Sequence, residues 1–195
     1  LYLYKNPADS CSSTLVTSLS INNVGSNLKC EFMLRSDNQK VLTSFYQNCD
    51  RKQKIAKSFS IDISNPSITE ISSFTKTKDN NGAKDIKSIV STDGKKSFVC
   101  FINDSNESEC LIYDITENTW SESSTYLSEC LSGLSSLNIE YMENLNGNGE
   151  YVVYCFQSET KLNLVKFDSN FTKIEDNEIF DISENVKSYI NFAAS

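Results

Sequence analysis

Three segments of this chain repeat one order of elements: a polar turn, an apolar strand closed by phenylalanine, a polar loop, and a strand ending in an apolar residue followed by aspartate. The first runs from Asp37 through Val41-Leu42-Thr43-Ser44-Phe45 to Ile61-Asp62. The second runs from Asp93-Gly94 through Phe98-Val99-Cys100-Phe101 to Tyr113-Asp114, and the third from Asn146-Gly147 through Tyr154-Cys155-Phe156 to Phe167-Asp168. Asp37 and Asp93 stand 56 residues apart, Asp93 and Asn146 53, Asp62 and Asp114 52, and Asp114 and Asp168 54. Many antiparallel chains space their strands evenly, but matching aromatic and acidic positions point to a repeated unit.

A period of about 50 residues holding about four strands is the size of a propeller blade. Within each unit the apolar runs place a first strand at 29–34, 85–90 and 134–142, and a second at 41–46, 97–102 and 151–156. A third falls at 55–61, 110–113 and 162–167, and a weaker fourth at 67–74, 119–123 and 171–180. Asp-Gly and Asn-Gly between apolar runs supply the tight turns. The reading is an all-β chain forming a partial β-propeller of about three four-stranded blades, with units near 28–82, 83–130 and 131–183. Residues 1–27 and 184–195 then belong to neighbouring blades, with 186–192 as a candidate opening strand. A β-sandwich or barrel is the alternative architecture. Propellers ordinarily have about four to eight blades. Completion by another chain, or by remaining blades of the same propeller, is therefore expected.

The segment Tyr113-Asp114-Ile115-Thr116-Glu117-Asn118-Thr119-Trp120 resembles the Tyr-Asp-x-x-x-Asn-x-Trp pattern of kelch repeats. In that family the pattern joins the third and fourth strands of a blade. Ile61-Asp62 and Phe167-Asp168 keep the apolar-Asp pair without the tryptophan, and no Gly-Gly doublet ends the second strands. The resemblance is thus to a kelch-like blade in general, and Trp120 at this position is expected to pack between blades.

Charge and composition remove several classes of function. A net charge of −8 repels a phosphate backbone, so no nucleic-acid partner is expected. With no histidine, the Ser-His-Asp and Cys-His arrangements and all histidine-containing zinc sites are excluded. Seven cysteines, none in a Cys-x-x-Cys pair, suggest disulfides in an oxidising compartment. Cys100 and Cys110 flank a hairpin connection symmetrically about Ser105 and are expected to bond across neighbouring strands. Cys155 occupies the slot of Cys100, but its counterpart to Cys110 is Leu164; it must bond elsewhere, with Cys130 one candidate. An odd cysteine count leaves at least one sulfur free or bonded outside the chain. Sequons at Asn103, Asn106 and Asn170 agree with a secreted or extracellular-surface location. No apolar run approaches the length of a membrane span, so no membrane insertion is expected, and any export signal is read as already removed.

No catalytic, cofactor-binding or metal-binding residue stands out. Asp37, Asp93 and Asn146 are explained as turn formers, and Glu175, Asp176 and Glu178 as a solvated acidic loop. Ser91-Thr92-Asp93-Gly94 resembles the Ser-x-Asp-x-Gly-x-Thr-Trp box of sialidase-type propellers, with glycine directly after the aspartate. Arg35 and Arg51 are the chain's two arginines, too few for the clustered set of such enzymes. The expectation is a binding or adhesion module, not an enzyme, recognising a protein or glycan ligand. The alternative is a fragment of a propeller glycosidase whose catalytic residues lie outside this chain. Glycans at Asn103 and Asn106 would obstruct the edge of the loops near 47–53, 103–108 and 157–161, favouring the edge of Asp37, Asp93 and Asn146 for contact.

Overall fold

Strands rich in β-branched and aromatic residues, alternating with turns closed by aspartate, build the whole described structure. A computed structural model describes residues 2–5, 14–20, 28–34, 40–47, 53–62, 64–77, 83–122, 126–130, 137–143, 149–158, 160–174 and 178–181. A hairpin of β1 (Tyr2–Lys5) and β2 (Thr14–Ser18) precedes three sheets. Sheet 1 comprises β3 (Lys29–Leu34), β4 (Lys40–Gln47), β5 (Gln53–Asp62) and β6 (Ser67–Thr77). Sheet 2 comprises β7 (Ala83–Val90), β8 (Lys96–Asn103), β9 (Ser108–Asp114) and β10 (Thr119–Glu122). Sheet 3 comprises β11 (Leu137–Glu143), β12 (Gly149–Ser158), β13 (Lys161–Phe167) and β14 (Glu178–Asp181).

Each sheet is an antiparallel meander whose four strands pair in chain order. β7 lies against both β3 and β11, while β6 neighbours β10 and β2, so the sheets follow one another with their first strands together. The chain is all-β, with no helix among the described residues, and its three sheets stand as consecutive blades of a partial propeller.

Both faces of the middle strands are buried. Val99 and Phe101 of β8 pack with Phe45 and Ala56 of sheet 1. Phe98, Cys100 and Ile102 pack with Tyr151, Val153, Val165 and Phe167 of sheet 3. Phe45 stacks on Phe101 at 5.1 Å across the first seam, and Phe98 meets the edge of Phe167 at 5.1 Å across the second. Trp120 packs with both apolar clusters of the first seam, and its Nε1 has no hydrogen-bond partner among the described residues.

The repeated aspartate has a single local job. Asp62 Oδ1 accepts from the N–H groups of Ser64 and Asn65, Asp114 Oδ1 from Thr116 and Glu117, and Asp168 Oδ1 from Asn170 and Thr172. Each closes the turn after the third strand as an Asx turn. In sheet 2 the Tyr113 hydroxyl also donates to Asn118 Oδ1 at 3.1 Å, Asn118 takes φ +52°, and the Tyr113 and Trp120 rings meet at 5.1 Å. The Tyr-Asp-x-x-x-Asn-x-Trp spacing is therefore one compact turn with two tilted aromatic rings in contact at its base.

Some strand ends differ from the sequence reading. Residues 171–180 read as one strand, but the Asx turn of Asp168 continues through Phe171, at φ +60°, and the fourth strand is described as β14 over Glu178–Asp181. The first strand of sheet 3 is described over Leu137–Glu143, and residues 134–136 lie outside the described residues. Residues 186–192, Asp37, Asn38, Asn146, Gly147, Glu175, Asp176, Cys11 and Cys49 lie outside the described residues. Cys100 and Cys110 sit directly opposite on β8 and β9 and are joined, and Cys130 is joined to Cys155. Cys30 is exposed and in neither bridge.

The short Cys100–Cys110 loop gives a stability prediction: replacing both residues by alanine lowers unfolding free energy by about 2–3 kcal/mol, measured by denaturant titration. Tyr154 gives another, because burial and then the Glu140 charge push its phenol from 10.0 up to about 12. The neutral phenol suits the fold, so its contribution is whole below pH 10 and is lost as pH rises through 12. Tyr154→Phe should flatten the fall in stability across that range, as read by unfolding at stepped pH.

Candidate functional site at the loop edge

A four-stranded meander has two unlike edges. One carries the turns after the first and third strands; the other carries the loop after the second strand and the passage to the next sheet. Asp93 exemplifies the turn edge: its Oδ1 accepts from the Ser91 hydroxyl at 2.6 Å and from Lys95 N–H at 2.9 Å. Burial works to raise this carboxyl, but those hydrogen bonds and the charges of Lys95 and Lys96 hold it below its usual value. Gly94, at φ +70°, completes the turn with its N–H on Ser91 O. These groups satisfy one another.

The loop edge between sheets 1 and 2 gathers charge. Lys54, at the start of β5, is buried with its Nζ 3.6 Å from Glu109 Oε2 and 4.4 Å above the Phe101 ring. Glu109 Oε1 accepts from Asn103 Nδ2 at 2.8 Å, and the same nitrogen reaches Glu107 Oε2 at 3.3 Å. Asn103 Oδ1 in turn accepts from Ser105 and Glu107 N–H groups, which fixes the hairpin loop. Gln47, at the end of β4, accepts the Ala83 N–H and ties sheet 1 to the first residue of sheet 2.

A bulge in β7 adjoins this network. Lys84 pairs with Ile102 and Lys87 with Cys100, so Asp85 and Ile86 together oppose Phe101. Asp85 takes φ +46°, uncommon outside glycine, while Ile86 is buried in the seam. Lys84 Nζ lies 3.2 Å from Asp104 Oδ1, both about one third exposed. The buried pair neutralises itself and fixes the seam; Lys84, Asp85, Asp104 and Glu107 present donors and acceptors above it. Such a surface can hydrogen-bond hydroxyls, amides or charged side chains. Among the described residues, no group of three or more His, Cys, Asp or Glu is placed to hold a metal ion.

The sequons differ in their surroundings. Asn103 is 1% exposed, with its side-chain nitrogen engaged in the network. Asn106 is half-buried and Asn170 is exposed. Sequence reasoning missed Lys54 and Glu109, whose pairing joins different sheets. One signal was present: Gln47 and Asn103 each stand two residues after the repeat phenylalanine, and both are buried amides.

No protein-family model matches the chain, and no curated protein matches it. It is similar in structure to a fucose lectin from Kordia zhangzhouensis in complex with methyl-fucoside, at 14% identity and TM-score 0.49, covering 80% of this chain and 100% of the lectin. It is also similar to a periplasmic gluconolactonase of Pseudomonas aeruginosa, at 13% identity and TM-score 0.47, covering 78% of this chain and 39% of that one. A candidate 6-phosphogluconolactonase from Bacteroides fragilis matches at 17% identity and TM-score 0.45, covering 78% and 38%. The chain thus spans about two fifths of each lactonase. At such identities no residue role passes to this chain. The expectation that the chain is not an enzyme is corrected by these matches, since they include enzymes as well as a lectin.

The ion pair yields a prediction. Lys54→Met or Glu109→Gln alone should cost about 3–5 kcal/mol of stability, since each leaves a buried charge without its partner. The Lys54→Met/Glu109→Leu double substitution should recover most of that loss in the same urea titration.

Proposed function

We propose that the chain is an extracellular recognition module, with units 28–82, 83–130 and 131–183 as blades of a larger propeller completed by another chain or by further blades. Its ligand, a protein or glycan, docks on the loop edge at Lys84, Asp85 and Asp104. One observation carries the reading: a bulged first strand sets partly exposed charged groups beside a buried, self-neutralised ion pair, a rigid base for a polar contact surface. The two disulfides support an oxidising, extracellular setting. The Tyr113–Trp120 turn supports kelch-type kinship for the middle blade.

The loop edge is favoured over the turn edge read from sequence, because Asn103 is buried and only the Asn106 sequon remains there to obstruct it. Screening the secreted protein on glycan and protein arrays tests the reading. Lys84→Ala and Asp104→Ala should each weaken a captured ligand about tenfold or more, as charge-assisted contacts do, and Lys95→Ala should leave it unchanged. Loss with Lys95→Ala alone would place the ligand on the turn edge. Turnover of a glycoside by the assembled particle would instead favour the glycosidase alternative, with catalytic residues outside this chain.

A further inference from the structure

We infer that the fold assigns an N-linked glycan to Asn170, on the turn edge, and withdraws Asn103, on the loop edge, from modification. The inference rests on the extracellular reading above. An Asn-x-Ser/Thr acceptor must carry its glycan on Nδ2, and in the folded protein that atom must face solvent.

Asn103 fails on both counts. Its side chain is buried, and Nδ2 donates to Glu109 Oε1 at 2.8 Å and to Glu107 Oε2 at 3.3 Å. A sugar there would expel the amide from the Lys54–Glu109 network and leave buried carboxylate oxygens without a donor. Asn103 therefore acts as the hub of its loop.

Asn170 meets both conditions because of the residue beside it. Phe171, the middle residue of the Asn170-Phe171-Thr172 sequon, is held at φ +60° by stacking on Phe98 at 4.4 Å and by contact with Tyr151 at 4.5 Å. A left-handed phenylalanine is strained and persists only where its surroundings impose it. With Phe171 anchored in the seam between sheets 2 and 3, and Asp168 Oδ1 accepting the N–H groups of Asn170 and Thr172, the turn holds Asn170 exposed on the turn edge. A glycan there covers that edge and spares Lys84, Asp85 and Asp104.

The chemistry is a transfer from a lipid-pyrophosphate-linked oligosaccharide. The bond from anomeric carbon to pyrophosphate oxygen breaks, a bond from that carbon to Asn170 Nδ2 forms, the lipid pyrophosphate leaves, and an amide proton passes to the transferase's base.

The test expresses the full chain through a eukaryotic secretory pathway, releases glycans enzymatically in heavy-oxygen water, and locates labelled aspartate by fragment mass spectrometry. Label at position 170 and none at 103 is expected. Thr172→Ala should remove that label and one glycan's mass while leaving Tm unchanged. Asn103→Asp, which sets a third carboxylate against Glu107 and Glu109, should lower Tm by about 5 °C or more. Label at Asn103 in folded secreted protein, or an unlabelled Asn170, overturns the inference. The two readings fail differently: an intact Cys100–Cys110 bridge with bare Asn170 sinks only the glycan assignment. Cysteines 100 and 110 that alkylate without reduction sink the extracellular reading itself.

Discussion

Sheet 2 is apolar on both faces, and that one fact dictates the rest. Along β8 the side chains of Phe98, Cys100 and Ile102 leave on one side and those of Val99 and Phe101 on the other, with all five buried. Burying each large side chain is worth about 1.5–3 kcal/mol, so a sheet of this kind needs a neighbour against each face. Sheets 1 and 3 are those neighbours, and they carry the same property: Leu42 and Tyr46 on the far side of β4, and Val152 and Tyr154 on the far side of β12, are buried as well. A series of two-faced sheets is what a propeller is made of.

Once the faces are spent on packing, only the edges remain for polar work. The three Asp-closed turns consume their own hydrogen-bonding groups on one edge. On the other, the second strand ends in a buried amide that reaches beyond its own strand, Gln47 to Ala83 and Asn103 to Glu109. The Lys54–Glu109 pair then lies at the seam between two sheets, where breaking it exposes a cost to both. The β7 bulge turns Ile86 inward and leaves Asp85 at the rim, so one irregular strand serves packing and surface chemistry together.

How much of this was legible depended on whether a residue acts within its own unit or across units. Asp62, Asp114 and Asp168 were legible because an Asx turn is local and recurs with the repeat. The facing of Cys100 and Cys110 followed from a symmetric hairpin. Asn103 read as a surface sequon, since nothing in Asn-Asp-Ser reveals two glutamates turning back onto it. Nothing local in the sequence singles out Lys54, because its partner stands 55 residues away in another sheet. Phe171 read as the start of a strand, and only its stacking on Phe98 and its tilted contact with Tyr151 show that it belongs to a turn.

The most direct measurement of the two-faced arrangement is a double-mutant cycle on Phe45 and Phe101, whose rings stack across the first seam. Denaturant titrations of the parent, Phe45→Ala, Phe101→Ala and the double variant should return a coupling of about 0.5–1.5 kcal/mol. Additivity within about 0.3 kcal/mol would mean that sheets 1 and 2 do not share this interface, and the stacked-blade account would fall with it.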